Sequence, residues 1–496
     1  MNITGHRLHQ VSAFLATVVL TAGLAASAGA QGRSRVSADL AWKLVADDGK
    51  PTRVILTGSQ STVNELAARH NLRIYRRLPT GAAVEVPAGM LGVLTDDPSV
   101  ETLSSDQTVR SHMSVTNASI GADLVHAGVA GAPGLTGSGI AVAILDSGIS
   151  VVPELRGKVL ASVDFTEEQA NGQDKFGHGT HVAGIVAAKG DASEPDSVGV
   201  APGAMLINVR VLDSKGEGRA SDVIAGIDWV IANRFKYNIR VINLSLGAPV
   251  VQSWKLDPLC QAVERAVRAG LVVVAAAGNL GKTADGKTVF GGIVSPGNSP
   301  YAITVGALNT KQTPWRSDDV LATYSSRGPT RFDHVIKPDL VAPGNRIKGL
   351  LAPGARLARE HPEKVVGTGS SRRLELSGTS MSAAVVSGAV ALLLGKNGQL
   401  SNLAVRSALQ TSAETVHGLG LFSVGTGSLN IAASSSYPAY SEPPLIEGEV
   451  PTRSGRTFGD AVVWGDAVVW GDAVVWGDAV VWGDAVVWGD AVVWGD

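Results

Sequence analysis

The sequence predicts an α/β fold, a mostly parallel sheet with helices on both faces, with a small α+β unit before it and a repeat tail after it. Three observations carry that reading. Gly139-Ile-Ala-Val-Ala-Ile-Leu145 is an apolar run of the kind that forms a strand buried on both faces. Downstream, strand patterns at Met205–Leu212, Val241–Leu244, Leu271–Ala276 and Ala302–Gly306 alternate with helical patterns at Ser221–Asn233 and Leu259–Ala269. From Phe458 onward the hexamer Gly-Asp-Ala-Val-Val-Trp repeats without error, with tryptophans from Trp464 to Trp494.

At 496 residues the chain is long enough for a large core plus accessory pieces. A formal net charge of -2, with Lys and Arg scattered, argues against nucleic acid as a partner. Cys260 is the only cysteine, so no intrachain disulfide forms; its helical spacing suits a small buried residue and not a thiol nucleophile. Arg7 precedes a mostly apolar run from Val11 to Leu24, and Ala26-Ser-Ala-Gly-Ala30 supplies small residues for cleavage. Residues 1–30 therefore read as a signal peptide cut near Ala28 or Ala30, with an uncleaved anchor as the other reading. No transmembrane segment is expected in the mature chain. Residues 31–113 read as the α+β unit: strands at Thr52–Thr57, Ala82–Val86 and Val100–Leu103, helices at Thr62–Asn71 and Gly89–Thr95.

Three motifs carry chemistry. Gly378-Thr-Ser380-Met381 opens a long run of small and apolar residues, which places Ser380 at the start of a buried helix. The free amides and dipole there favour developing negative charge. A serine needs a base, and Gly177-His178-Gly179 offers a histidine at the opening of another small-residue helix. His181, inside that helix, reads as structural. The apolar run at 139–145 ends in Asp146-Ser-Gly148, a carboxylate at the C-terminal edge of a parallel strand, where open α/β sheets place their sites. Each motif alone has a plain structural explanation, as a helix cap, a core histidine or a strand end; the three in the order Asp, His, Ser do not.

With these motifs, and with Ala275-Ala-Ala-Gly-Asn279, the chain resembles the subtilisin-like serine proteases, or subtilases, over roughly residues 114–435. The resemblance implies a secreted serine endopeptidase acting on protein or peptide substrates, with Ser380 as nucleophile, His178 as base and Asp146 orienting it. Asn279 would donate to the oxyanion opposite the Ser380 N–H. Gly216 and Gly218 on one side, and Ser245, Leu246 and Gly247 on the other, would pair with an extended substrate backbone. Ala277 and Gly278 would leave the primary specificity pocket open to a large apolar side chain. Residues 31–113 would be an inhibitory propeptide, with autocatalytic cleavage between Val109 and Asn117, in a connector free of strand patterning. No cofactor is required for the chemistry. The family allows structural calcium, but no contiguous Asp-x-Asp loop is present; Glu154 and Asp191-Ala-Ser-Glu194 are the candidates, with solvated loop acids the preferred reading. The family commonly has proline four residues after the nucleophile, and this chain has Ala384, which suggests a less rigid helix start.

Pro343 to Ser377 is longer than compact family members need. It reads either as a flap near the cleft or as a surface insertion, the second being preferred. Residues 436–457 are rich in Ser, Pro, Glu and Gly and read as a linker to the repeat tail at 458–496. That tail suggests stacking into a sheet or solenoid, binding a surface or self-associating. The rival reading of the whole is a catalytically weak or inactive subtilase relative that works as a binding or surface-display protein through its tail.

Overall fold

The computed structural model describes residues 35–37, 40–41, 43–44, 50–106, 108–111, 117–128, 134–191, 194–313, 316–369 and 372–436, then 456–458 and six strands between 461 and 494. Residues 1–30 and most of the 436–457 linker lie outside the described residues. Two compact units divide at Asp106.

The first unit is a five-stranded sheet in the order Arg35–Val36, Thr102–Ser105, Thr52–Thr57, Gly81–Val86, Arg73–Leu78. The helix Gln60–His70 starts where the Ser59 hydroxyl accepts the Thr62 N–H, and ends at Asn71 in a left-handed conformation. Val54, Leu56, Val63, Leu66, Val84, Leu94 and Leu103 form its core, all fully buried. The Arg73–Leu78 strand went unread in the sequence. It holds three arginines and a largely open surface, the composition that protects a sheet edge and hides its periodicity.

The second unit is built on an eight-stranded sheet. Its order is Val320–Leu321, Ile303–Asn309, Val272–Ala276, Ile239–Leu244, Ala141–Asp146, Met205–Arg210, Val159–Asp164, with Leu340–Pro343 also pairing with Ile303–Asn309. Every pair is parallel except the short Val320–Leu321 edge. All six residues of Ala141–Asp146 are buried, because alternate side chains meet helices on opposite faces. Val142 and Ile144 join the core formed with the helices His178–Ala187 and Thr379–Lys396. Leu145 faces the other way, where the helix Ala220–Asn233 approaches closely enough that a Cβ on Gly226 would fall 3.3 Å from its methyl.

Thr379–Lys396 is apolar all round and buried from Thr379 to Leu394, as a helix in the middle of a large core should be. Among the described residues it is the helix long and apolar enough to cross a membrane, but here it is enclosed by protein. Ala384 is fully buried within this regular helix.

The segment after Pro343 is more than a surface insertion. Its three-stranded sheet, Ile347–Leu350, Arg373–Leu376 and Val365–Val366, packs on the His178 helix. A Cβ on Gly184 would fall 2.6 Å from the Leu350 side chain, and one on Gly349 would fall 2.5 Å from the His181 ring. Glu154 is not a solvated loop acid either: it pairs with Arg373 of this segment at 2.9 Å, with both side chains nearly buried. The Asp191 and Glu194 side chains lie outside the described residues. In the tail each four-residue strand pairs in parallel with the one 12 residues on, Trp464 with Trp476 and Trp470 with Trp482. Two hexamers thus make one coil, and the coils stack as two ladders, of three and four strands.

Candidate active site

A strand end and a helix start bring Asp146 and His178 together, and the helix that carries Ser380 packs on the His178 helix. Asp146 ends its strand fully buried, with its backbone carbonyl accepting the Val211 and Leu212 amides at 2.8 and 3.1 Å. Its Oδ1 accepts the Ser147 N–H at 2.7 Å and stands 2.6 Å from His178 Nδ1. With Nδ1–H directed at the carboxylate, Nε2 is the ring nitrogen able to take a proton.

His178 is the first residue of its helix, and the flanking glycines serve packing more than access. Gly177 has φ 107°, and a Cβ there would fall 2.6 Å from Ala355; a Cβ on Gly179 would fall 2.1 Å from the Gly148 carbonyl. Larger residues would lift the helix start off the Asp146 turn. The cap comes from Asp174, which the sequence reading missed. Its Oδ1 accepts from Ser147 Oγ at 2.9 Å and the Gly177 N–H at 2.6 Å, and its Oδ2 accepts the Thr180 N–H at 2.8 Å. Burial raises the Asp174 carboxyl above the usual range. An acid four residues ahead of a helix start was the available signal. Arg210 was also missed. Fully buried and paired in register with Asp146, it donates to the Ser147 carbonyl at 3.1 Å and to Asp164 at 2.9 Å.

His181 is buried as expected, its Nε2 donating to the Leu374 carbonyl at 3.0 Å. Burial, helped by neighbouring His178, pulls its pKa down to about 3, so it stays neutral.

Ser380 is the second residue of its helix, 2 % exposed. Gly378 before it has φ 164°, an extended conformation open to any residue, so the turn does not depend on left-handed backbone. Ser380 Oγ donates to the Ser245 carbonyl at 3.0 Å, and Ser245 Oγ donates back to the Ser380 carbonyl at 2.6 Å. Asn279 sits across this helix start. Its Oδ1 accepts both the Thr379 N–H at 3.0 Å and the Thr379 hydroxyl at 3.3 Å, and that hydroxyl accepts the Gly278 N–H at 3.0 Å. Its Nδ2 is therefore the end left to donate.

The predicted walls are short strands, Glu217–Arg219 and Leu246–Gly247, and the strand Thr108–Ser111 lies antiparallel between them. Arg110 pairs with both Glu217 and Gly247, Val109 with Gly218, and Ser111 with Leu246. The wall glycines answer to the protein's own packing: a Cβ on Gly216 would strike the Phe176 ring at 2.4 Å, and one on Gly218 the Val211 carbonyl at 2.1 Å. Leu246 offers only backbone, its side chain being buried, and Ala277 is buried with its N–H on the Val305 carbonyl. Cys260 is buried beside Asn298 and Asp257, and burial pushes its thiol up, which suits no nucleophile. Among the described residues no cluster of three acids, histidines or cysteines could hold a metal ion.

Residues 137–430 match the subtilase family. Serine protease AprX of Bacillus subtilis (strain 168) is 34% identical over 350 residues, covering 68% of this chain and 75% of that protein. Subtilisin E of the same organism is 35% identical over 344 residues, 69% of this chain and 77% of its own length. Subtilisin of Bacillus pumilus is 36% identical over 304 residues, 61% of this chain and 93% of its own. On this match the chain belongs to the subtilase family and is a serine endopeptidase.

Proposed function

We propose that this endopeptidase cuts through an Asp146–His178–Ser380 triad and is made as an exported, self-inhibited zymogen. Ser380 Oγ attacks the peptide carbonyl as His178 Nε2 takes its proton, and the imidazolium so formed is stabilised by Asp146. The tetrahedral oxyanion is held by the Ser380 N–H and Asn279 Nδ2. His178 then returns the proton to the leaving amine, and water releases the acyl group from Ser380 by the same steps. The buried 2.6 Å contact between Asp146 and His178 Nδ1 is the observation that carries the mechanism.

Self-inhibition is supported by the Thr108–Ser111 ladder. An extended segment of the chain itself fills the groove that a substrate backbone would occupy, using main-chain pairing that needs no particular side chains. The ladder ends at Ser111, opposite Leu246 and one residue short of Ser245, which bonds Ser380. We assign the processing cut to the stretch between Ser111 and Asn117, the downstream part of the window expected from sequence. Residues 112–116 lie outside the described residues.

The test is active-site labelling. Wild-type protein should react stoichiometrically with a fluorophosphonate and hydrolyse casein, while Ser380→Ala does neither and remains unprocessed at full precursor mass. Labelling of Ser380→Ala at the wild-type rate would overturn the assignment.

A further inference from the structure

The sequence leaves the primary specificity pocket open to a large apolar side chain; the structure shows something standing in it. Gly278 comes from the segment expected to line that pocket and Gly247 from the wall expected to pair with the substrate backbone, and a single side chain, Val294, touches both. A Cβ on Gly247 would fall 2.4 Å from Val294 Cγ2, and one on Gly278 would fall 2.7 Å from Val294 Cγ1. The isopropyl group thus bridges the bare Cα positions of the walls, and the space that two facing glycines open is taken up by its methyls.

Val294 is also pinned from both sides. Its N–H donates to the Ala277 carbonyl at 3.1 Å, on one wall. The next residue, Ser295, exchanges two backbone bonds with Ala248, directly after the other wall, at 2.8 and 2.9 Å. The Val294 carbonyl accepts the Asn298 N–H at 3.0 Å. Backbone held at three points keeps the Val294 Cβ between the walls, so whichever rotamer it takes its methyls occupy the space an aromatic ring would need. It remains partly exposed, as a residue lining an open cleft should be.

We infer that Val294 is the specificity-determining residue of this enzyme, closing the floor of the primary pocket so that substrates with a small residue on the acyl side of the cut bond are preferred over those with an aromatic one. The inference rests on the proposed catalytic reading and on Gly247 and Gly278 flanking the substrate residue next to the cut. Adding or removing a few methyl groups in such a pocket changes selectivity by roughly 10- to 200-fold.

The experiment compares kcat/KM on succinyl-Ala-Ala-Pro-Ala and succinyl-Ala-Ala-Pro-Phe p-nitroanilides, normalised to the fraction reacting with a fluorophosphonate. The wild-type enzyme should favour Ala over Phe by about tenfold or more. Val294→Gly should reverse the preference, and Val294→Ala, which keeps the backbone restrained, should fall between. If the enzymes label fully but the wild type favours Phe, or the Ala-to-Phe ratio is unmoved in both variants, the pocket inference is wrong. If wild-type protein fails to label, the catalytic reading beneath it fails instead.

Discussion

The Ala141–Asp146 strand and the Thr108–Ser111 strand both carry main chain to the cleft, and they are strands for opposite reasons. Ala-Val-Ala-Ile-Leu is apolar at every position and buried on both faces, so its own side chains commit it to the sheet centre. Thr-Val-Arg-Ser has no such pattern and lies in a stretch that reads as connector from sequence. It is extended because two short walls, Glu217–Arg219 and Leu246–Gly247, pair with its main chain on either side. The first strand is written in its own residues and the second in its neighbours'. The proposed inhibitory role requires that a segment of the second kind leave without unfolding the sheet.

Proline scanning breaks or sharpens that contrast most strongly. Ile144→Pro removes a ladder donor at the centre of the main sheet, where proline is not tolerated, and should yield no folded protein. Arg110→Pro makes the same change in the imposed strand. In a Ser380→Ala background it should keep the wild-type melting temperature of the catalytic unit to within a few degrees. Its backbone amides at Val109 and Ser111 should lose most of their protection from hydrogen exchange. Loss of the whole fold in Arg110→Pro, or unchanged protection, would mean the strand is integral after all.

Next in size is the processing reaction itself. With Ser380 intact, Arg110→Pro should slow conversion to the mature form by about tenfold, since a lost ladder bond at a binding groove is worth roughly 1 kcal/mol or somewhat more. The mature N-terminus, read by Edman sequencing, should still fall between Ser111 and Asn117. A mature chain that starts upstream of residue 108 would show that this strand is not the segment presented to Ser380.

What could be read ahead of the structure followed the same division. The central sheet and the helices that open at His178 and Ser380 were legible because apolar runs and small-residue helix starts are local signals. Asp174 and Arg210 were not, since each acts on a partner far off in the chain or outside the usual cap position: Asp174 on Ser147, Arg210 on Asp164. Val294 was invisible for a third reason. Nothing in Ile-Val-Ser-Pro announces that its side chain meets Gly247 and Gly278, which lie 47 and 16 positions earlier. The stretch after Pro343 was misjudged because its charged residues suggest a surface. Its work is done by Leu350, the Leu374 carbonyl and Gly349, against a helix more than 160 residues upstream.

That last contact gives the smallest effect expected here, and one that compares the two histidines of a single helix turn. His181 is held neutral at the junction between the His178 helix and the Arg373–Leu376 strand, with a pKa of about 3 against 6.5 when unfolded. Below pH 6.5 the unfolded chain takes up a proton that the folded protein refuses, so stability falls as pH drops from 6.5 towards 3. One such group contributes a slope of at most about 1.4 kcal/mol per pH unit. His181→Leu, in a Ser380→Ala background to prevent autolysis, should be less stable at pH 8, because the buried Leu374 carbonyl loses its donor at a cost of about 1–3 kcal/mol. Between pH 6.5 and 4.5, however, its stability should decline less steeply than that of the parent, by about one proton's worth of slope. Urea unfolding of both proteins at half-unit pH intervals measures this directly. Parallel stability curves would show that His181 titrates normally, and that the stretch after Pro343 does not seal the histidine helix from water.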